Sequence, residues 1–167
     1  EILKAQGIPV QILSNPKLRI STKSFAALGS SIIQLLQDET FGLLEKPQPI
    51  GTLHFLLFAC LSARTIEESL RLWKKGVNLI ENSLSITFQT TEETGTLTIR
   101  CKKKNGILSN YIVETSLLSI HRAHCWLAKE FIPIKEVELM IPEPSFVDEY
   151  PYLFYGAPVR FNQTRNA

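Results

Sequence analysis

Hydrophobic side chains recur along this chain with two periods, and each change of period marks a new element. Val10 and Ile12 flank Gln11 and predict a short opening strand, ended by a turn at Asn15-Pro16. Ser21 or Thr22 can cap a helix in which Phe25, Leu28, Ile32 and Leu35 or Leu36 form one apolar stripe, running to about Gln37. Asp38-Glu39-Thr40 with Gly42 ends it, and residues 45–50, holding two prolines, form a loop. Residues 51–61 are nearly all apolar and predict a buried helix, although a strand carries the same pattern. Thr65-Ile66-Glu67-Glu68 is a capping box: the threonine oxygen takes a free amide, and Glu68 reaches back to the threonine amide. The helix it opens sets Ile66, Leu70, Trp73, Val77 and Ile80 on one core-facing stripe, with Arg71, Lys74 and Lys75 in water.

The period then shortens. Leu84, Ile86 and Phe88, and after Glu92-Glu93-Thr94-Gly95 the residues Leu97, Ile99 and Cys101, alternate with polar neighbours and predict a hairpin. Asn105-Gly106 turns into a long helix over about 108–131, with Ile112, Leu117, Ile120, Leu127 and Phe131 on its apolar side. Val137, Leu139 and Ile141 alternate with Glu136 and Glu138 as a half-buried strand. Pro142 and Pro144 stop it, because proline cannot donate to a ladder. A short aromatic helix or turn follows, and Gly156-Ala157-Pro158 leads into a last strand with Val159 and Phe161 inward. Helices and strands mixed without strict alternation predict a single α+β domain over 1–167: a mostly antiparallel sheet with several helices packed on it.

Composition narrows the classes. The 167 residues are 44% hydrophobic and 20% charged with net charge +2, which excludes long disorder and gives no electrostatic footprint of a nucleic-acid binder. The one basic run, Arg100 with Lys102 to Lys104, reads as a solvated strand end. Cys60, Cys101 and Cys125 are widely spaced in apolar surroundings, with neither a disulfide framework nor zinc spacing, which suits a reducing cytoplasm. No signal-peptide pattern is seen, and the apolar run Phe55 to Leu61 is too short to span a bilayer. Without an initiator methionine, neither end is read as the biological terminus.

The last third, from the segment 132–144 onward, has an order of its own: the strand of Val137, Leu139 and Ile141, a proline stop, a short aromatic helix or turn with Tyr150 and Phe154, Gly156, then Pro158-Val159-Arg160-Phe161, closing on Asn166. That order resembles the end of the N-terminal effector domain, named "arabinose-binding", of AraC-type transcriptional regulators, in the branch that includes regulators of ornithine and arginine use. The segment Ser62 to Leu70, followed by Trp73, is similar to the family's helix start, with Ser69 where the family usually has alanine. Asp38 to Leu43 is similar to its helix exit. The resemblance implies a domain that senses a small molecule, forms a homodimer, and reaches promoter DNA only through a C-terminal helix-turn-helix half lying outside this chain. It implies no membrane partner, and the effector's identity stays open. The alternative is a free-standing binding module or enzyme without a DNA-binding partner.

Candidate chemistry is sparse. His121, His124 and Cys125 stand three and four apart on a helix and could face one ion, but no second cluster supplies further ligands, so amphipathic histidines beside a core are preferred and no metal is expected. Cys125 with His121 could make a catalytic pair. The thiol lies late in a helix, however, where the dipole disfavours a thiolate, and no catalytic residue is expected. The carboxylate pairs Glu67/Glu68, Glu92/Glu93 and Asp148/Glu149 are sequence neighbours that do not face one another. No phosphate-binding glycine loop, nucleophile elbow or other cofactor motif appears. Polar and aromatic groups in apolar helices are the candidates for contact with an effector: His54, Trp73, Tyr111, His121, Arg122 and His124. An anionic effector would want Arg122 or a histidine.

Overall fold

A computed structural model describes residues 1–15, 17–80, 84–101 and 106–167. Within the long helix, side chains are described from Asn110 onward. Pro16, the lysine run 102–104 and Asn105 lie outside the described residues. The elements in order are α1 (Ile2–Ala5), α2 (Thr22–Leu36), α3 (Thr52–Cys60), α4 (Ile66–Leu79), β1 (Leu84–Thr90), β2 (Gly95–Cys101), α5 (Gly106–Ala128), β3 (Val137–Glu138), α6 (Tyr150–Leu153) and β4 (Val159–Arg160). Short 3-10 turns occupy Val10–Leu13 and Val147–Glu149. The opening strand expected at Val10 to Ile12 is therefore corrected to a 3-10 turn. Its amides bond locally, Ile12 N–H to the Pro9 carbonyl at 3.0 Å, so no ladder is left for a neighbour.

Capping chemistry fixes the helix starts. Ser21 accepts from the Ser24 amide at 3.0 Å and opens α2. Thr65 accepts from the Glu68 amide at 3.1 Å and opens α4. The reciprocal bond of the box is displaced by one residue: the Glu68 carboxylate accepts from the Arg64 amide at 2.8 Å rather than from that of Thr65. Asp38, just beyond α2, is 2% exposed. Its carboxylate accepts from the Thr40, Gly42 and Gln48 amides and the Thr40 hydroxyl at 2.7–2.9 Å. The next residue, Glu39, accepts from the Gly51 and Leu53 amides at 2.8 Å each, placing its charge at the positive end of α3. Two adjacent acids thus tie one loop to two helices.

The helix at 51–61 is confirmed, but its burial is not. Only Leu56 and Cys60 of α3 are buried, while Phe55 and Phe58 are 67% and 68% exposed. Likewise the stripe of α2 contributes no fully buried residue, and Phe25 is 62% exposed. α5 ends at Ala128, earlier than expected, with Lys129 in the left-handed region at φ 57°. Phe131 then lies outside the helix.

The sheet differs from the expected one. β1 and β2 form an antiparallel hairpin in the register Ile86 to Ile99 and Phe88 to Leu97. β3 and β4 make a second two-stranded pair, and it is parallel, Val137 opposite Val159. The physical reason is the crossover at 139–158: its proline stop and aromatic helix return the chain to the same end of β3, as a tight turn could not. The last residues join the two pairs. Ile99 N–H donates to the Asn166 carbonyl at 2.9 Å, while Glu138 and Ala167 exchange two bonds of 2.9 Å each. One cluster of buried side chains then runs from Leu56, Trp73 and Val77 through Ile86 and Ile99 to Ile112, Leu117 and Ile120, and on to Leu139, Tyr150 and Phe154.

Candidate functional site

Where α4 and α5 pack together, two polar side chains enter an otherwise apolar core. Ser69 on α4 and His124 on α5 are 3% and 1% exposed. Trp73, one turn beyond Ser69, meets the His124 imidazole edge-on, with centroids 5.6 Å apart and planes at 62°. Cys60 at the end of α3 closes the third side, its thiol donating to the Ser69 carbonyl at 3.4 Å. α4 opens with a capped turn and carries a core stripe, so Ser69 and Trp73 share its inner face as neighbours four apart. Trp73 and His124 are thus two of the six predicted residues that the fold brings together.

The His124 ring has a defined tautomer. Nδ1–H donates to the Ile120 carbonyl at 2.7 Å, and the Ser69 carbonyl lies on the other side of the ring. Burial lowers the pKa of His124, outweighing the Ile120 and Ser69 carbonyls that raise it, so the imidazole is held neutral. Neither His124 Nε2 nor Ser69 Oγ has a hydrogen-bond partner among the described residues. Leaving one such buried group unpaired costs about 1–3 kcal/mol. Two orphans on facing helices, in an otherwise apolar layer, are a local departure from good packing. Burial also raises the Cys60 thiol's pKa, so it stays protonated.

The other predicted residues lie elsewhere. His121 and Arg122 sit on the outer side of α5 beside Tyr155. Arg122 Nε donates to the Tyr155 hydroxyl at 2.9 Å, and the rings of His121, Phe131 and Tyr155 stand 5.1–5.7 Å apart. His54 on α3 is exposed, Tyr111 on α5 is 44% exposed, and neither joins a cluster. The three-ligand arrangement of His121, His124 and Cys125 does not assemble, because His124 turns inward to Ile120 while the other two face outward. Among the described residues no group of three histidine, cysteine or acidic side chains is placed to share an ion. Cys125 Sγ lies 3.5 Å from His121 Nε2, which donates to the Ile132 carbonyl at 2.8 Å, and 3.9 Å from His121 Nδ1.

An open groove of about 430 Å³ runs along the outer face of α4, lined by Arg71, Lys74, Lys75, Asn78 and Leu79. Arg71 is engaged there, paired with Glu67 at 2.6 Å and 5.9 Å above the Phe88 ring. None of the six predicted residues lines it. Sequence reasoning missed Ser69, whose signal was a lone hydroxyl on an apolar stripe beside a buried tryptophan.

The family model described as the arabinose-binding domain of AraC transcription regulators, N-terminal, matches residues 1–167. The chain belongs to this family. No curated protein matches it. As a member of the AraC arabinose-binding domain family, it is a ligand-binding regulatory domain tied to transcription. The buried polar pair lies inside that domain, on α4 and α5. Among the described residues, no helix is long and apolar enough to cross a membrane.

Proposed function

We propose that this chain is the effector-sensing half of a bacterial AraC-type regulator, in the ornithine/arginine-regulator branch, working in the cytoplasm without catalysing a reaction. The family match over residues 1–167 carries this reading, and the orphaned polar atoms of Ser69 and His124 support it by offering a ligand bonds that the protein leaves unmade. A small molecule binds this domain, favours one of its arrangements and so changes promoter occupancy by a C-terminal helix-turn-helix domain. Trp73 and His124 are the residues of the original six that we assign to effector contact. His54, Tyr111, His121 and Arg122 lie outside that cluster.

The domain forms a homodimer through the outer side of α5, where Trp126 is 68% exposed. In a thermal-shift screen over amino acids, fatty acids and sugars, a cognate effector at a hundred times its dissociation constant adds about 2.7 kcal/mol of stability. Absence of any stabilising compound would sink the sensing reading. In a gel-shift assay this chain alone gives no sequence-selective promoter complex, and a nanomolar selective complex would overturn the division of labour. Elution as a strict monomer at high concentration would remove the dimer.

A further inference from the structure

We infer that the outer groove of α4 is a docking surface for an acidic segment of a partner protein, gripped by Lys74 and Lys75. The inference stands apart from the effector-sensing reading and uses none of its residues. Arg71, Lys74, Lys75, Asn78 and Leu79 line an open groove of about 430 Å³, and their spacings of three and four put them on one helix face. The ends of that face are already fixed. Arg71 is paired with Glu67 at 2.6 Å and lies 5.9 Å above the Phe88 ring. The Asn78 side chain donates to the Ile86 carbonyl at 3.0 Å and accepts from the Ile86 amide at 3.1 Å. Between them, the ammonium groups of half-buried Lys74 and exposed Lys75 have no ion pair or hydrogen bond among the described residues.

The helix itself leaves these two charges unanswered. The positions three and four before and after them hold Leu70, Arg71, Leu72, Val77, Asn78 and Leu79, so no acid faces them along α4. Arg71 and Lys75, four apart, repel one another. Neither lysine lies in the last turn, where the helix dipole would favour it. With Glu67 engaged by Arg71, the groove carries two uncompensated positive charges, and carboxylates are their complement. Leu79, 71% exposed, adds an apolar lip at one end. An acidic segment with apolar residues interspersed answers both features. A nucleic-acid backbone would meet the lysines and offer Leu79 nothing. A small anion would stay in water in so open a groove, where screened ion pairs are weak. The face is about 12 Å long, which an extended chain crosses in about four residues. Because Asn78 closes the β1 edge at Ile86, the segment lies along α4 rather than adding a strand.

A fluorescently labelled peptide of alternating glutamate and leucine is titrated into the chain and followed by anisotropy, beside its glutamine-leucine counterpart. The acidic peptide is expected to bind, to weaken as salt is added, and to hold about tenfold tighter than the glutamine one. Lys74→Gln with Lys75→Gln should weaken it about tenfold, while Lys74→Arg with Lys75→Arg should retain binding. Leu79→Ser should weaken it measurably. Lys4→Gln with Lys23→Gln removes the same charge from α1 and α2 and should change nothing. Lys75→Glu, at an exposed position, should abolish binding and tests the charge even if the half-buried Lys74 resists substitution. Failure of the acidic peptide to bind, or equal binding of its glutamine counterpart, would overturn the assignment. So would unchanged affinity in Lys75→Glu, an equal loss in the Lys4 and Lys23 variant, or displacement of the peptide by citrate or duplex DNA at matched charge.

Discussion

The Tyr150 hydroxyl donates a 2.7 Å hydrogen bond to Glu114 Oε1, pinning the C-terminal aromatic turn to the middle of α5. Tyr150 is 1% exposed, packed between Phe146 and Phe154 with Phe161 edge-on at 5.0 Å. Burial raises the pKa of Glu114, and the bond from Tyr150 only partly offsets it. Burial and the adjacent carboxylate push the Tyr150 phenol well above its ordinary value, so it remains a donor. An acid with a raised folded pKa stabilises the native state fully below its unfolded value and loses that contribution as pH rises through the folded one. Glu114→Gln is therefore expected to raise Tm at pH 7 and leave it unchanged at pH 4. Tyr150→Phe, which removes the donor, should cost about 2 kcal/mol in urea melts at pH 7. A Glu114→Gln protein less stable at pH 7 would contradict the account.

Asp38 has the opposite sign. Burial raises its pKa, but the bonds from Thr40, Gln48 and Gly42 together outweigh it and hold the carboxyl below its ordinary 3.8. Its stabilisation is present above pH 3.8 and fades as pH falls through the lower folded value. Asp38→Ala should cost about 3 kcal/mol at pH 7, since it strands several donors in the loop between α2 and α3. The difference from wild type should shrink in acid melts near pH 3.

His124 adds a slope at milder pH. Its folded pKa lies below the ordinary 6.5. The unfolded chain therefore takes up a proton that the folded one refuses, and stability falls as pH drops below 6.5. His124→Gln should flatten that part of a Tm-against-pH curve between about pH 6.5 and 5. An unchanged slope would show that another group carries it.

Asn166 holds the two strand pairs together. Its Oδ1 accepts from the Met140 amide at 2.8 Å and its Nδ2 donates to the Ile99 carbonyl at 3.5 Å. Asn166→Ala should destabilise by about 2 kcal/mol and speed hydrogen exchange at Met140 most of all. Asn166→Asp keeps the acceptor but loses the donor. It is expected to protect Met140 while leaving the Ile99 carbonyl unpaired.

Gly76 records how closely α3 approaches α4. A Cβ there would fall inside van der Waals contact with Leu56 Cδ2, on a leucine 3% exposed. Gly76→Ala gains about 1 kcal/mol of helix propensity but incurs an overpacking cost of about 1–3 kcal/mol. Net destabilisation is expected, partly relieved in the double variant with Leu56→Val. Additive effects in that cycle would deny the contact.

Several features were written locally enough to be read from the chain. Ser21 and Thr65 cap helices through atoms three residues away. The hairpin register follows from alternation on both strands, and Val137 and Leu139 turned inward as their alternation with Glu136 and Glu138 required. The sequence stated apolarity but not coverage at residues 51–61: a helix formed, yet only Leu56 and Cys60 found a neighbour to bury them.

What the chain determined by itself is therefore its helices, its hairpin and its family, since these rest on propensities and on contacts within a few residues. Tertiary structure decided the rest. It chose which histidine of α5 turns inward, ran β3 and β4 parallel, and linked Asn166 to Ile99 across 67 positions of sequence. The polar pair belongs to that second group. Ser69 and His124 each look ordinary on their own helix, and only the packing of α4 on α5 strips both of water and leaves their bonds unmade.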